Sequence, residues 1–166
     1  MAVILTNPPA ARAAGRTVRP PIIGGMNPDL TAPAGAVLDH IGIAVADLEA
    51  ALKTWNALGL IPSGEESVAG ERVRVAFLPV GGAARVELLS PTSPDSPIAA
   101  FLQKRGPGVH HLCFKVPDLE AAIAELRGRG FLFVGDAPRP GAGGARVAFL
   151  HPRSMGGVLV ELTTGH

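Results

Sequence analysis

The chain has 166 residues, 47% of them hydrophobic and only 4% aromatic, a length that suits one domain or two small repeats sharing a core. Fifteen lysines and arginines against fourteen acids leave a net charge of +1, too small a basic excess for a nucleic-acid binder. No run approaches the roughly 18 apolar residues of a membrane span, and one cysteine, Cys113, excludes an intramolecular disulfide framework or a cysteine-rich zinc site. A soluble intracellular domain with neither a nucleic-acid nor a membrane partner is expected.

Residues 1–35 carry six prolines, three arginines and one acid, Asp29, without helical or strand period, and are expected to be a disordered N-terminal extension. Two origins fit. One is an Arg-rich, acid-poor transit peptide, against which Pro8–Pro9 and Pro20–Pro21 weigh; the other is an overlong start with Met26 as the true initiator. The expected location is cytoplasmic, or the mitochondrial matrix if the extension is a transit peptide. Residues 36–166, with twelve basic and thirteen acidic side chains, are expected to form a single domain.

In that domain Ile41, Ile43 and Val45 alternate with His40, Gly42 and Ala44, which predicts a strand with one face on a core. Asp47 then caps a helix carrying Leu48, Ala51, Leu52 and Trp55 at helical spacing, with Gly59 just past its end. Three strands are predicted next, near 60–65, 73–78 and 85–89. Ser96-Pro97 opens a short linker helix within 95–106. A second series follows: a strand with Leu112, Phe114 and Val116, a helix from the Asp118 cap to Arg129, and strands near 131–134, 145–150 and 158–163.

The two series are copies. At an offset of 71, residues 38–52 and 109–123 agree at seven of fifteen positions. Arg74-Val-Ala-Phe-Leu78 returns as Arg146-Val-Ala-Phe-Leu150, and Val86-Glu87-Leu88 as Val160-Glu161-Leu162. The expected fold is therefore α+β: two βαβββ modules, repeat one over 37–91 and repeat two over 108–163.

The duplication also pairs residues with useful chemistry. Each first strand sets a histidine opposite its core face, His40 and His111, and each last strand does so with a glutamate, Glu87 and Glu161. Two imidazoles and two carboxylates converging on a cleft suit a divalent metal such as Co²⁺, Zn²⁺, Ni²⁺ or Mn²⁺ with open positions. His110 aligns with Asp39 and is expected to point to the core or the rim. Cys113 aligns with Gly42 and is expected to be a small packing residue, while His151 and His166 have no geometric support.

These paired modules resemble the vicinal oxygen chelate (glyoxalase/bleomycin resistance/dioxygenase) superfamily, whose repeats form a metal-binding cup. Over residues 37–163 the chain is similar to the methylmalonyl-CoA epimerase family within it. The stretches that carry the likeness are Leu38–Val45, Val86–Pro91, Asp95–Leu102, Gly108–Leu112, Phe149–Ser154 and Gly156–Leu162. Asp95-Ser-Pro-Ile-Ala and Gly156-Gly-Val-Leu-Val-Glu-Leu162 are the specific ones.

The resemblance implies metal ligands at His40, Glu87, His111 and Glu161, with Co²⁺ favoured and the Glu87 contact direct or through water. It implies epimerisation at carbon 2 of methylmalonyl-CoA in propionyl-CoA catabolism, through an enolate, with Glu161 as a catalytic acid/base. An acyl-CoA substrate and a homodimer are implied too. Some relatives place a second acid/base, a glutamate, where this chain has Val75, leaving Glu71, Glu87 or a water for that task. Arg139 and Arg153 are candidates to meet CoA phosphates or the substrate carboxylate. Two alternatives remain: a glyoxalase I-type lactoylglutathione lyase, and a small-molecule-binding resistance protein of the same fold.

Overall fold

A computed structural model describes residues 33 and 35–165, so the expectations for residues 1–32, for residue 34 and for His166 lie outside the described residues. Its elements run β1 (Val37–Ala44), α1 (Leu48–Ala57), β2 (Gly64–Val68), β3 (Val73–Pro79) and β4 (Arg85–Pro91). Then come α2 (Pro97–Arg105), β5 (Gly108–Lys115), α3 (Leu119–Gly128), β6 (Phe133–Pro140), β7 (Arg146–Leu150) and β8 (Leu159–Thr163). Short 3₁₀ turns occupy Ala142–Gly144 and Pro152–Ser154.

The duplication extends to single hydrogen bonds. Asp47 and Asp118 accept from Ala50 N and Ala121 N at 3.0 and 2.9 Å, each supplying one of the donors a helix start leaves unpaired. Gly59 and Gly130, at φ 95° and 87°, terminate these helices in the left-handed region that glycine enters at little cost. Leu60 N then bonds Trp55 O at 3.1 Å, and Phe131 N bonds Leu126 O at 3.0 Å.

All eight strands form one sheet in the order β2-β3-β4-β1-β5-β8-β7-β6. Within each module the first and last strands pair in parallel, and β1 and β5 join the modules antiparallel. One face carries α1 and α3 over two apolar clusters, around Leu48, Leu78 and Leu88, and around Leu119, Leu150 and Leu162. The other face has apolar packing of its own: Ala44, Val73, Val75 and Leu89 gather with Ile98 of α2. That face holds the site.

Two strands depart from the expected ranges. β2 begins at Gly64, because Leu60 is spent on closing α1 and packing beside Trp55 before the ladder starts. β6 runs from Phe133 through Pro140, beyond the expected 131–134, with a register break between Val134 and Arg139. Pro138 and Pro140 speak against a strand, but β6 is a sheet edge, where a missing N–H costs no ladder bond.

The seam between the modules is irregular in a symmetric way. Leu38 pairs Phe114 and His40 pairs Cys113, so the register shifts by one residue at Asp39. Gly42 pairs His111 and Ile43 pairs Val109, so it shifts by one residue again at His110. Asp39 and His110 are equivalent positions of the repeat. Each bulge interrupts the alternation that would send neighbouring side chains to opposite faces.

Candidate metal and acid/base site

The seam brings His40 of β1, His111 of β5 and Glu161 of β8 together. His40 Nε2 lies 3.0 Å from His111 Nε2, Glu161 Oε2 lies 3.1 Å from His111 Nε2, and it lies 4.0 Å from His40 Nε2. All three residues are buried. Glu161 and His111 reach one another because β5 and β8 run parallel, with Glu161 in register with Cys113.

Asp39 and Arg85 form a partly buried ion pair beside His40. Asp39 Oδ2 accepts from His40 Nδ1 at 2.8 Å and meets Arg85 Nη2 at 3.0 Å. A proton kept on Nδ1 leaves the Nε2 lone pair of His40 facing Glu161 and His111. The second module mirrors this contact, since His110 Nδ1 lies 2.9 Å from His111 Nδ1. Asp39 and His110 thus each brace the histidine that follows. His110 lines the cavity beside it rather than pointing to the core or the rim, because its bulge turns it to the face of His111. Sequence reasoning gave neither Asp39 nor Arg85 a role. The signals were present: a polar residue precedes the histidine in both copies, and Arg85 shares a strand face with Glu87.

Glu87 sits apart from the three. Its Oε1 accepts from Arg85 Nε at 2.8 Å and lies 3.4 Å from the other nitrogen of His40, Nδ1. Cys113 is fully buried; burial, followed by the charges of Glu161, Asp39 and Glu87, pushes its thiol well above the usual range. A thiol held protonated is a poor metal ligand. Burial alone would raise the Glu161 carboxyl. The hydrogen bond from His111 and the charges of His111 and His40 outweigh it and hold Glu161 below the ordinary carboxylate range.

Two imidazole lone pairs and a carboxylate aimed at one point repel each other unless a proton or a cation lies among them. His40, His111 and Glu161 offer donor atoms all within 4.8 Å of one another. Separations of 3.0–4.0 Å match neighbouring ligands, each about 2.0–2.2 Å from a shared ion. The residues fit a divalent metal.

A cavity of about 620 Å³ opens beside this group, a size typical of small-molecule sites. Val75, Leu89, Val147 and Phe149 supply apolar wall, and Glu71 and Arg139 supply charge. Arg139 Nε pairs with Glu71 Oε1 at 2.8 Å, and its guanidinium lies 4.7 Å from the centre of the Phe149 ring. Arg153 is exposed and does not line this cavity; His151 accepts from Arg153 N, in the 3₁₀ turn it caps. Among the described residues, no helix is long and apolar enough to cross a membrane.

A family model described as Glyoxalase/Bleomycin resistance protein/Dioxygenase superfamily matches residues 39–149. The chain is 42% identical over 127 residues to the mitochondrial methylmalonyl-CoA epimerase of Homo sapiens, covering 75% of this chain and 72% of that protein. It is 41% identical over 128 residues to the ethylmalonyl-CoA/methylmalonyl-CoA epimerase of Cereibacter sphaeroides, covering 75% and 95%. A solved structure of a Streptomyces coelicolor methylmalonyl-CoA epimerase variant in complex with 2-nitronate-propionyl-CoA matches with a TM-score of 0.74. The two are 40% identical, covering 78% of this chain and 94% of that one.

Proposed function

The chain belongs to the Glyoxalase/Bleomycin resistance protein/Dioxygenase superfamily, and from that membership we propose that it interconverts the (2R) and (2S) epimers of methylmalonyl-CoA with a bound divalent metal. One observation carries the reading: His40, His111 and Glu161, drawn from both modules, meet at a cavity of small-molecule size. The relatives described above are epimerases, which favours this reading over a glyoxalase I-type lyase or a resistance protein.

The reacting hydrogen lies between a thioester carbonyl and a carboxylate, so removing it gives an enolate. Lowering such a carbon acid by about ten pK units takes roughly 14 kcal/mol. His40, His111 and Glu161 would hold a divalent ion, which would supply positive charge where that enolate develops. Co²⁺ is the favoured ion, with Zn²⁺, Ni²⁺ and Mn²⁺ as alternatives. Glu87 would join the set as the fourth ligand, directly or through water. Asp39 fixes the tautomer of His40, and Val75, Leu89 and Phe149 exclude water. Glu161, ionised and in reach of the cavity, accepts the carbon 2 proton from one face. The protein acts as a homodimer in the cytoplasm, or in the mitochondrial matrix if residues 1–35 are a transit peptide.

The test is incubation with one pure epimer in D₂O, with and without a chelator. Inversion with deuterium entering carbon 2, abolished by the chelator and restored by Co²⁺, is the expected result. Turnover of a glutathione hemithioacetal in place of methylmalonyl-CoA would overturn the reading. Light scattering near 17.0 kDa at micromolar concentration would refute the dimer.

A further inference from the structure

Epimerisation takes a proton from one face of carbon 2 and delivers one to the other. A carboxylate fixed on one side of a planar enolate cannot do both. Among the described residues, three carboxylates line the cavity: Glu71, Glu87 and Glu161. Glu87 is buried and engaged by Arg85 and His40, and β3 offers only the buried apolar Val73 and Val75 to the same wall. Resting on the epimerase reading, we infer that Glu71 is the second proton-transfer residue, serving the face of carbon 2 opposite Glu161.

Its placement suits that task. Glu71 stands in the β2–β3 turn of the first module, whereas Glu161 belongs to the last strand of the second. Arg139, from the second module, pairs with its carboxylate at 2.8 Å, and both line the cavity. With 29% of its side chain exposed, Glu71 also reaches solvent, as a group that must reset its proton needs to.

The turn itself is held under strain. Arg72, the next residue, has φ 54°, the one positive φ at a non-glycine among the described residues. Such a conformation persists only where its surroundings enforce it. Here they are the residues between β4 and α2. Thr92 N donates to Arg72 O at 2.9 Å, Asp95 pairs with the Arg72 guanidinium at 3.2 Å, and Ser96 Oγ donates to Glu71 O at 3.5 Å. The Asp95-Ser-Pro-Ile-Ala segment, singled out in the sequence as specific, thereby sets the Glu71 turn beside the cavity.

The proton balance is closed by water alone. When Glu71 holds a proton taken from solvent, Glu161 takes the carbon 2 proton and the C–H electron pair moves into the thioester carbonyl. Glu71 then gives its proton to the opposite face, and the carbonyl re-forms on the inverted product. The other epimer uses the reverse protonation state. Exchange with solvent interconverts the two states between turnovers.

The test gives the metal-loaded full-length protein each epimer separately in D₂O and follows inversion and exchange at carbon 2. For E71Q, inversion should fall by at least about 100-fold. Exchange without inversion should survive for the one epimer whose hydrogen faces Glu161 and vanish for the other. E71D, which keeps the carboxylate, should recover part of the inversion, and both variants should bind Co²⁺ as the wild type does. Inversion by E71Q at the wild-type rate would overturn the inference. So would equal loss of exchange for both epimers at unchanged melting temperature and metal content. A wild-type protein that inverts neither epimer would instead remove the epimerase reading beneath it.

Discussion

Gly42 and His111 face each other across the β1–β5 seam, and a Cβ built on Gly42 would lie 2.3 Å from His111 Cε1. The imidazole fills the space a side chain would take. Gly42→Ala therefore forces the ring to move, because carbon atoms pack at about 3.5–4.0 Å. Overpacking of this kind costs about 1–3 kcal/mol of stability. The larger effect should be on metal: a Co²⁺ titration should show affinity lower by at least about 10-fold, the range found when a ligand histidine loses its support. Unchanged Co²⁺ affinity in this variant would show that His111 is not a ligand.

The histidines of the 110–111 pair should separate in the same titration. His111→Ala removes a proposed ligand and should abolish Co²⁺ binding. His110→Ala removes the contact to His111 Nδ1 at 2.9 Å and a ring contact with Phe101 but no proposed ligand, so affinity should fall by about 10–100-fold with binding retained. The reverse order would mean that His110 holds the ion.

Glu161→Gln keeps size and strand propensity, so unfolding free energy should change by about 1 kcal/mol or less. The same substitution takes a charge from the metal group and the proton acceptor from the reaction. Isotope exchange at carbon 2 should fall by at least about 100-fold. Exchange at the wild-type rate would assign the proton transfer elsewhere.

The metal-free protein should lose stability on mild acidification. Burial, then the charge of His111, lowers the His110 pKa to about 4, although Glu161 pulls the other way. Unfolded, that histidine takes a proton near pH 6.5. Between these values the unfolded chain binds more protons, so stability is complete above pH 6.5 and drains away as pH falls toward about 4. The loss should be on the order of 2–3 kcal/mol, read as the urea midpoint against pH in chelator-treated protein. His110→Gln should flatten that slope; parallel profiles would show that other groups cause it.

Cys113 should resist alkylation. Its side chain is fully buried, and burial with three nearby carboxylates keeps the thiol protonated. A thiol reagent at pH 8 should label it only after denaturant is added. Labelling of the native protein at the rate of a free thiol would show that the seam opens readily.

Much of this molecule is written locally. The Asp47 and Asp118 caps, Gly59 and Gly130 beyond the helices, and the period-two apolar runs of β1 and β5 each act within a few residues, so the sequence alone yields two βαβββ copies. The repeat likewise nominates His40, His111, Glu87 and Glu161, since duplication keeps equivalent positions on equivalent faces. Strand ends are less legible: β2 starts late and β6 runs long because helix closure and a free sheet edge, both tertiary facts, decide where ladders begin and stop.

Tertiary structure alone settled which of these side chains meet. Period-two reasoning sends Asp39 and His110 away from the histidines beside them, and only the bulges created when β1 pairs with β5 bring them back. The room Gly42 leaves for His111 and the reach of Arg139 to Glu71 arise in the same way. Each joins residues from different elements that lie far apart in the chain. Local propensity fixes the face a strand offers, but the register between strands, set by packing of the whole sheet, fixes what that face touches.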